Sequence, residues 1–171
     1  LIKEGIEKKK IFISGNTVVD ALLNINQMLK SDNKIFKNVS EKFIFLNPKK
    51  KIILITLHRR EIFGIKIKNI LESFKILSNK FKNIQFVYPV HLNPNIKRVV
   101  KQKLKNCPNF FLLPPVDYLS LIYLMKKSYL IMSDSGGIQE EAPSFKIPIM
   151  ILRETTERSE ILESNQGVLV G

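Results

Sequence analysis

The chain predicts an α/β protein: a Rossmann-like parallel sheet with helices on both faces. Two observations carry that expectation. Short runs that are apolar nearly throughout, such as Ile52-Ile53-Leu54-Ile55, alternate with segments of helical length. That is the pattern of strands buried on both faces and joined through single crossover helices. Polar clusters then follow the apolar runs repeatedly, at 58–61, 89–94, 133–137 and 153–158. Right-handed crossovers bring the carboxyl ends of parallel strands to one edge, where ligands of such sheets bind, so these clusters are expected to meet there.

In chain order, Ile11-Phe12-Ile13 reads as a strand, followed by the turn Ser14-Gly15-Asn16-Thr17 and a helix over 18–30. The polar stretch from there to Lys51 reads as a linker, so residues 1–50 form an interdomain segment and 51–171 the Rossmann-like domain. Within that domain, 52–57 is a strand and 65–81 a helix with Ile67, Ile70, Leu71, Phe74 and Leu77 on one side. The cycle repeats: strand 84–88, helix 95–105, strand 110–113, helix 118–127, strand 129–132, helix 138–145 and strand 148–152. A helix over 157–163 and the run Val168-Leu169-Val170 close the chain.

Composition narrows the function classes. With 171 residues, 44% of them hydrophobic, the chain is the size of one packed domain. No apolar run approaches the roughly 20 residues that span a bilayer, and the start at Leu1 has neither a signal-peptide pattern nor a methionine, which points to a cytoplasmic protein and to a fragment. Cys107 is the sole cysteine and reads as an inert structural thiol. The formal charge of +13 admits nucleic acid or an acidic membrane as partners, but the lysines are dispersed and no nucleic-acid-binding motif accompanies them. Neither is expected as a partner, whereas a phosphate-bearing small ligand suits the positive field.

The densest chemistry lies in Ser133-Asp134-Ser135-Gly136-Gly137-Ile138-Gln139-Glu140-Glu141-Ala142-Pro143. Behind an apolar strand, Ser135 can cap a helix while Gly136 and Gly137 let backbone N–H groups approach an anion. Glu140 and Glu141, one turn in, are placed to accept from sugar hydroxyls. The plainer alternative is a tight turn followed by solvated glutamates. His58 and His91 are the only histidines, and each follows a strand. An imidazole there can move a proton or donate to a phosphate, or simply satisfy backbone groups. Two histidines without spaced acidic or sulfur partners make no zinc site. Arg59, Arg60, Arg153 and Arg158 offer forked donors for phosphate oxygens, or pair with Glu61, Glu154, Glu157 or Glu160.

Five motifs in order, Gly15-Asn16-Thr17-Val18-Val19-Asp20-Ala21-Leu22, Thr56-Leu57-His58-Arg59-Arg60-Glu61, Tyr88-Pro89-Val90-His91-Leu92-Asn93-Pro94, the segment 133–143 and Thr156-Glu157-Arg158-Ser159-Glu160, resemble the non-hydrolysing UDP-N-acetylglucosamine 2-epimerases. The resemblance runs along essentially the whole chain, which corresponds to about the second half of that family. It implies the UDP-binding half of a GT-B-like pair of Rossmann domains, working without metal or redox cofactor on UDP-GlcNAc and UDP-ManNAc, typically as a homodimer. By resemblance, Ser135, Gly136 and Gly137 hold the diphosphate, Glu141 the ribose hydroxyls, and Arg158 lies near the phosphates. His58 is the candidate catalytic residue, and Arg59 and His91 match positions that hold a second, activating UDP-GlcNAc. Two departures are mild: Ile62 stands where many members have Asn, and Ser159 where many have Pro. The family's proton-transfer carboxylates for C2 lie in its amino-terminal domain, so the chain by itself is expected to bind UDP weakly and not to epimerise. Alternatives are a GT-B glycosyltransferase domain, against which the His-Arg-Arg-Glu run argues, and a catalytically inactive UDP-binding fragment.

Overall fold

The computed structural model describes residues 1–59 and 64–171. Arg60, Glu61 and Ile62, singled out above, lie outside the described residues. The strands are β1 Lys51–Thr56, β2 Ile84–Pro89, β3 Phe110–Leu113, β4 Leu130–Ser133, β5 Ile149–Ile151 and β6 Gly167–Leu169. They form one sheet in the order β3-β2-β1-β4-β5-β6, and every pairing is parallel. This is the doubly wound Rossmann order, with its switch point between β1 and β4. The register there sets Thr56 opposite Ser133, so both strands end level.

The helices are α1 Thr17–Ser31, α2 Asn33–Glu41, α3 Ile65–Lys80, α4 Pro94–Leu104, α5 Tyr118–Lys127, α6 Gly136–Glu141 and α7 Ser159–Glu163. They divide between the two faces because alternate β1 side chains do. Ile52 and Leu54 pack with Leu22 and Leu29 of α1, Val39 of α2, Ile122 and Met125 of α5, Ile138 of α6 and Ile161 of α7. Ile53 and Ile55 pack with Leu71 and Phe74 of α3 and Val100 and Leu104 of α4. Burying a branched side chain contributes roughly 1.5–3 kcal/mol. The four consecutive buried residues of β1 therefore make it the anchor that fixes where His58 emerges. Among the described residues no helix is long and apolar enough to cross a membrane.

Three expectations are corrected. No strand forms over 11–13: Phe12 and Ile13 are 87% and 99% exposed, because an apolar run becomes a strand only where a neighbouring backbone completes its ladder. The stretch read as a linker instead holds α2, whose Asp32 cap accepts from the amides of Lys34 and Ile35. Val39 and the following Phe43 are buried in the α1 face of the core, and Phe43 stacks on Tyr123 of α5 with ring centroids 5.6 Å apart. Farther along, Gln85 of β2 grips Asn47 as a strand would: Nε2 donates to its carbonyl at 3.0 Å and Oε1 accepts from its amide at 2.8 Å. The expected helix over 138–145 begins earlier, at Gly136, and becomes a 3-10 turn over Ala142–Phe145, since Pro143 has no N–H to continue an α ladder.

Candidate functional site

The switch point is closed by side chains. Thr56 and Ser133 share a hydroxyl hydrogen bond at 2.6 Å, which ties the ends of β1 and β4, and Ser133 Oγ also accepts from the Ser135 amide at 3.0 Å. Between them Asp134 is fully buried. Its carboxylate accepts from the backbone amides of His58 and Arg59 at 3.0 and 2.8 Å, and Oδ1 lies 3.0 Å from His58 Nδ1. Burial alone would raise the Asp134 pKa, but these donors together hold it below the usual carboxylate range. The Asp134 hydrogen bond in turn raises His58 above its ordinary value, against the opposing effect of partial burial. His58 is thus held by Nδ1, which leaves Nε2 for chemistry.

Ser135 caps α6, its Oγ accepting from the Ile138 amide at 3.4 Å, as expected from its position. Gly136 is buried, and a Cβ there would come within 3.3 Å of Glu157 Oε1 and 3.6 Å of the Arg158 guanidinium. A side chain here would press on the tip of Glu157 and rest against the guanidinium, so the glycine leaves the turn closely packed on both. Gly137 is exposed, and a Cβ on it would meet only Ser135 Oγ at 3.8 Å, so the backbone of the turn opens outward beside the guanidinium.

Arginines surround that opening. Glu157 Oε1 receives Arg59 Nη2 at 3.2 Å and Arg158 Nη1 at 3.1 Å, while Oε2 receives Arg153 Nη1 at 2.6 Å. The Arg153 hydrogen bond first, then the residue's own backbone amide and the charges of Arg153 and Arg59, lower the Glu157 carboxyl to about 2. Arg158 is anchored a second time, its Nε donating to Glu140 Oε1 at 2.7 Å, and Asn16 Nδ2 donates to Glu140 Oε2 at 2.8 Å. Both Glu140 oxygens are therefore engaged within the chain, beside the acceptor role expected of it toward a sugar hydroxyl. It is a strut for Arg158. Glu141 is buried and accepts from the Tyr118 hydroxyl at 2.7 Å; burial raises its pKa, only partly offset by that hydrogen bond.

His91 follows β2, with Nδ1 accepting from the Asn93 amide at 3.1 Å. It shares with His58 a hollow of about 270 Å³ whose lining includes Thr56, Pro115 and Leu121. A larger hollow of about 590 Å³ is lined by Asn16, Glu140, Glu157 and Arg158 but not by either histidine. The side chains able to handle a proton and an anion straddle the two, so hollow size alone does not locate the chemistry. His58, Arg59, Ser135, Gly136, Gly137 and Arg158 converge on one edge. Glu141 lies one turn deeper in α6, against Tyr118.

Sequence reasoning missed Asp134, Asn16 and Tyr118 as contributors, whereas the pairing of the arginines with Glu157 was one of its two readings. Asp134 stands inside a motif that drew notice, but its partner His58 is 76 positions away; Glu157 has two local partners, Arg153 and Arg158, and a third, Arg59, 98 positions away. What assembles is a set of forked cations and a protonatable imidazole around an open glycine turn, suited to gripping a phosphate ester and stabilising charge on a departing one.

The model of the family described as UDP-N-acetylglucosamine 2-epimerase matches residues 1–171. The UDP-N-acetylglucosamine 2-epimerase of Campylobacter jejuni is 49% identical over 175 residues, covering 100% of this chain and 45% of the relative. The crystal structure of UDP-GlcNAc 2-epimerase from Neisseria meningitidis bound to UDP-GlcNAc superposes with TM-score 0.92 at 45% identity, over 99% of this chain and 46% of that one. The Methanocaldococcus jannaschii UDP-GlcNAc 2-epimerase in complex with UDP-GlcNAc and UDP gives TM-score 0.82 at 33% identity, over 99% and 46%. The chain spans about half the length of these relatives, and it belongs to the UDP-N-acetylglucosamine 2-epimerase family.

Proposed function

We propose that this chain forms the UDP-binding wall of an enzyme that interconverts UDP-GlcNAc and UDP-ManNAc. The observation that carries the proposal is the convergence of the Asp134-held His58, the Gly136-Gly137 turn and Arg158 at the switch point, in a chain 45% identical to an enzyme whose crystal structure holds UDP-GlcNAc. In the reaction, the C2 proton is removed and the C1–O bond breaks, its electron pair leaving on the UDP β-phosphate. The 2-acetamidoglucal so formed takes a proton at C2 on the opposite face as UDP re-forms the C1–O bond. Charge gathers on UDP as it leaves, so donors placed there stabilise the transition state more than the ground state.

In this reading Ser135, Gly136, Gly137 and Arg158 hold the diphosphate, Glu141 the ribose hydroxyls, and His58, in its protonated form, the departing phosphate oxygen. Arg59 and His91 serve a second, activating nucleotide sugar. Residues 1–50 join the domain of 51–171 to the remainder of the protein, which supplies the C2 acid and base and works as a cytoplasmic homodimer. Calorimetry tests the core of the proposal: UDP binds, and Gly137→Asp weakens it at least about tenfold by setting a negative charge at the open turn. Equal UDP affinity in the two proteins would refute it. Formation of UDP-ManNAc, rather than transfer of the sugar to an acceptor, separates epimerase from glycosyltransferase.

A further inference from the structure

Glu157 sits where the proposed phosphate ligand should go. Its Oε1 lies 3.3 Å from the point a Cβ on Gly136 would occupy, and its two oxygens take donors from Arg59, Arg153 and Arg158. No other carboxylate among the described residues pairs with three guanidiniums. We infer that Glu157 is an internal anion that a ligand must displace, and that it thereby restricts the site to multiply charged phosphates. The inference rests on the nucleotide-sugar reading of the same site.

The geometry allows displacement at low cost. Glu157 lies in the irregular segment between β5 and α7, and its side chain is 42% exposed, so it can swing outward without disturbing the core. Arg158 keeps its position when Glu157 leaves, because its Nε stays on Glu140. Arg153 is the most shielded of the three cations, at 14% exposed, and has the shortest contact, so it retains the carboxylate while Arg59 and Arg158 change partners. A monoanion offers the two released guanidiniums no more charge than Glu157 does, and gains little. A diphosphate spreads more charge over more oxygens and engages both forks at once. The displacement cost falls on every ligand alike, so only a ligand that engages both forks binds measurably against it.

The test measures binding of inorganic phosphate and inorganic pyrophosphate to the protein, Glu157→Gln and Glu154→Gln. Glu154 is the control because it pairs with Lys66 instead of the arginines, and its loss changes net charge equally. Glu157→Gln is expected to bind phosphate and pyrophosphate each roughly two- to fivefold tighter, the scale of one exposed ion pair. Glu154→Gln is expected to leave both affinities unchanged. Unchanged or weaker phosphate binding by Glu157→Gln, or the same gain in Glu154→Gln, overturns the inference while UDP binding by the unaltered protein keeps the proposed function standing. Binding of neither UDP nor pyrophosphate by the unaltered protein overturns both.

Discussion

Replacing Asp134 with Asn probes the junction on which the candidate site is built. Three N–H donors point at this buried carboxylate: the amides of His58 and Arg59 and the His58 ring. An Asn side chain keeps one acceptor oxygen and turns an NH2 group toward the remaining donors, so at least one buried donor loses its partner. That loss costs about 1–3 kcal/mol, and at the size of this chain 1 kcal/mol lowers Tm by roughly 2–4 °C. His58 gives the sharper readout. Its pKa stands above 6.5 chiefly because of Asp134 and falls to 6.5 or below in the variant. The sign follows from linkage: a raised histidine stabilises the fold fully below its unfolded value of 6.5, and that stabilisation is lost as pH rises through the folded value. His58 is half exposed, so screening keeps this contribution under about 1 kcal/mol. Long-range 1H–15N NMR titration of both histidines, with His91→Gln to assign them, measures the midpoints. Denaturant melts at pH 6 and pH 8 measure the linked stability. An unchanged His58 midpoint in Asp134→Asn would refute the idea that this carboxylate sets the charge state of the imidazole.

Two further substitutions test the packing behind the site. Tyr88 is fully buried in β2 and its hydroxyl has no hydrogen-bond partner among the described residues, while burial and then the Asp134 charge hold the phenol protonated. Tyr88→Phe is therefore expected to be neutral or to stabilise by up to about 1 kcal/mol in urea melts; a clear loss of stability would reveal a partner for that hydroxyl. Gln85→Leu removes both bonds to Asn47 and is expected to cost about 1–3 kcal/mol by the same measurement. An unaltered midpoint would mean that the 42–50 segment is held by Phe43 and Leu46 instead.

The legible and illegible parts of the chain differ for physical reasons. Strands β1, β2 and β4 were readable because a strand covered on both faces has no polar alternation, and little except a buried parallel sheet accepts Ile52-Ile53-Leu54-Ile55. The polar edge was readable for the same reason, since parallel strands all end on it. Helix α2 was obscured by Lys34, Lys37 and Lys42, which interleave with Ile35, Val39 and Phe43 at helical spacing; Asp32 was the available signal. The run 11–13 misled because apolar character reports a need for burial and not a place in the sheet. Within the site, the capping role of Ser135 was local and therefore visible. The pairing of Arg153 and Arg158 with Glu157 was local as well, but the grip of Asp134 on residues 58 and 59, and the arrival of Arg59 at Glu157, depend on how the crossovers return, which no local pattern encodes.

Asn16 joins the start of α1 to the arginine cluster through one planar group. Its Oδ1 accepts from the Val18 amide at 3.0 Å while its Nδ2 donates to Glu140 at 2.8 Å. The two ends of that amide cannot be rotated independently. A change in the angle at which the chain enters α1 must either uncap the helix or pull on Glu140, and Glu140 carries Arg158 with it. The aim of a guanidinium at the mouth of the glycine turn is thus geared to the path of the backbone before residue 17, by a linkage one side chain long.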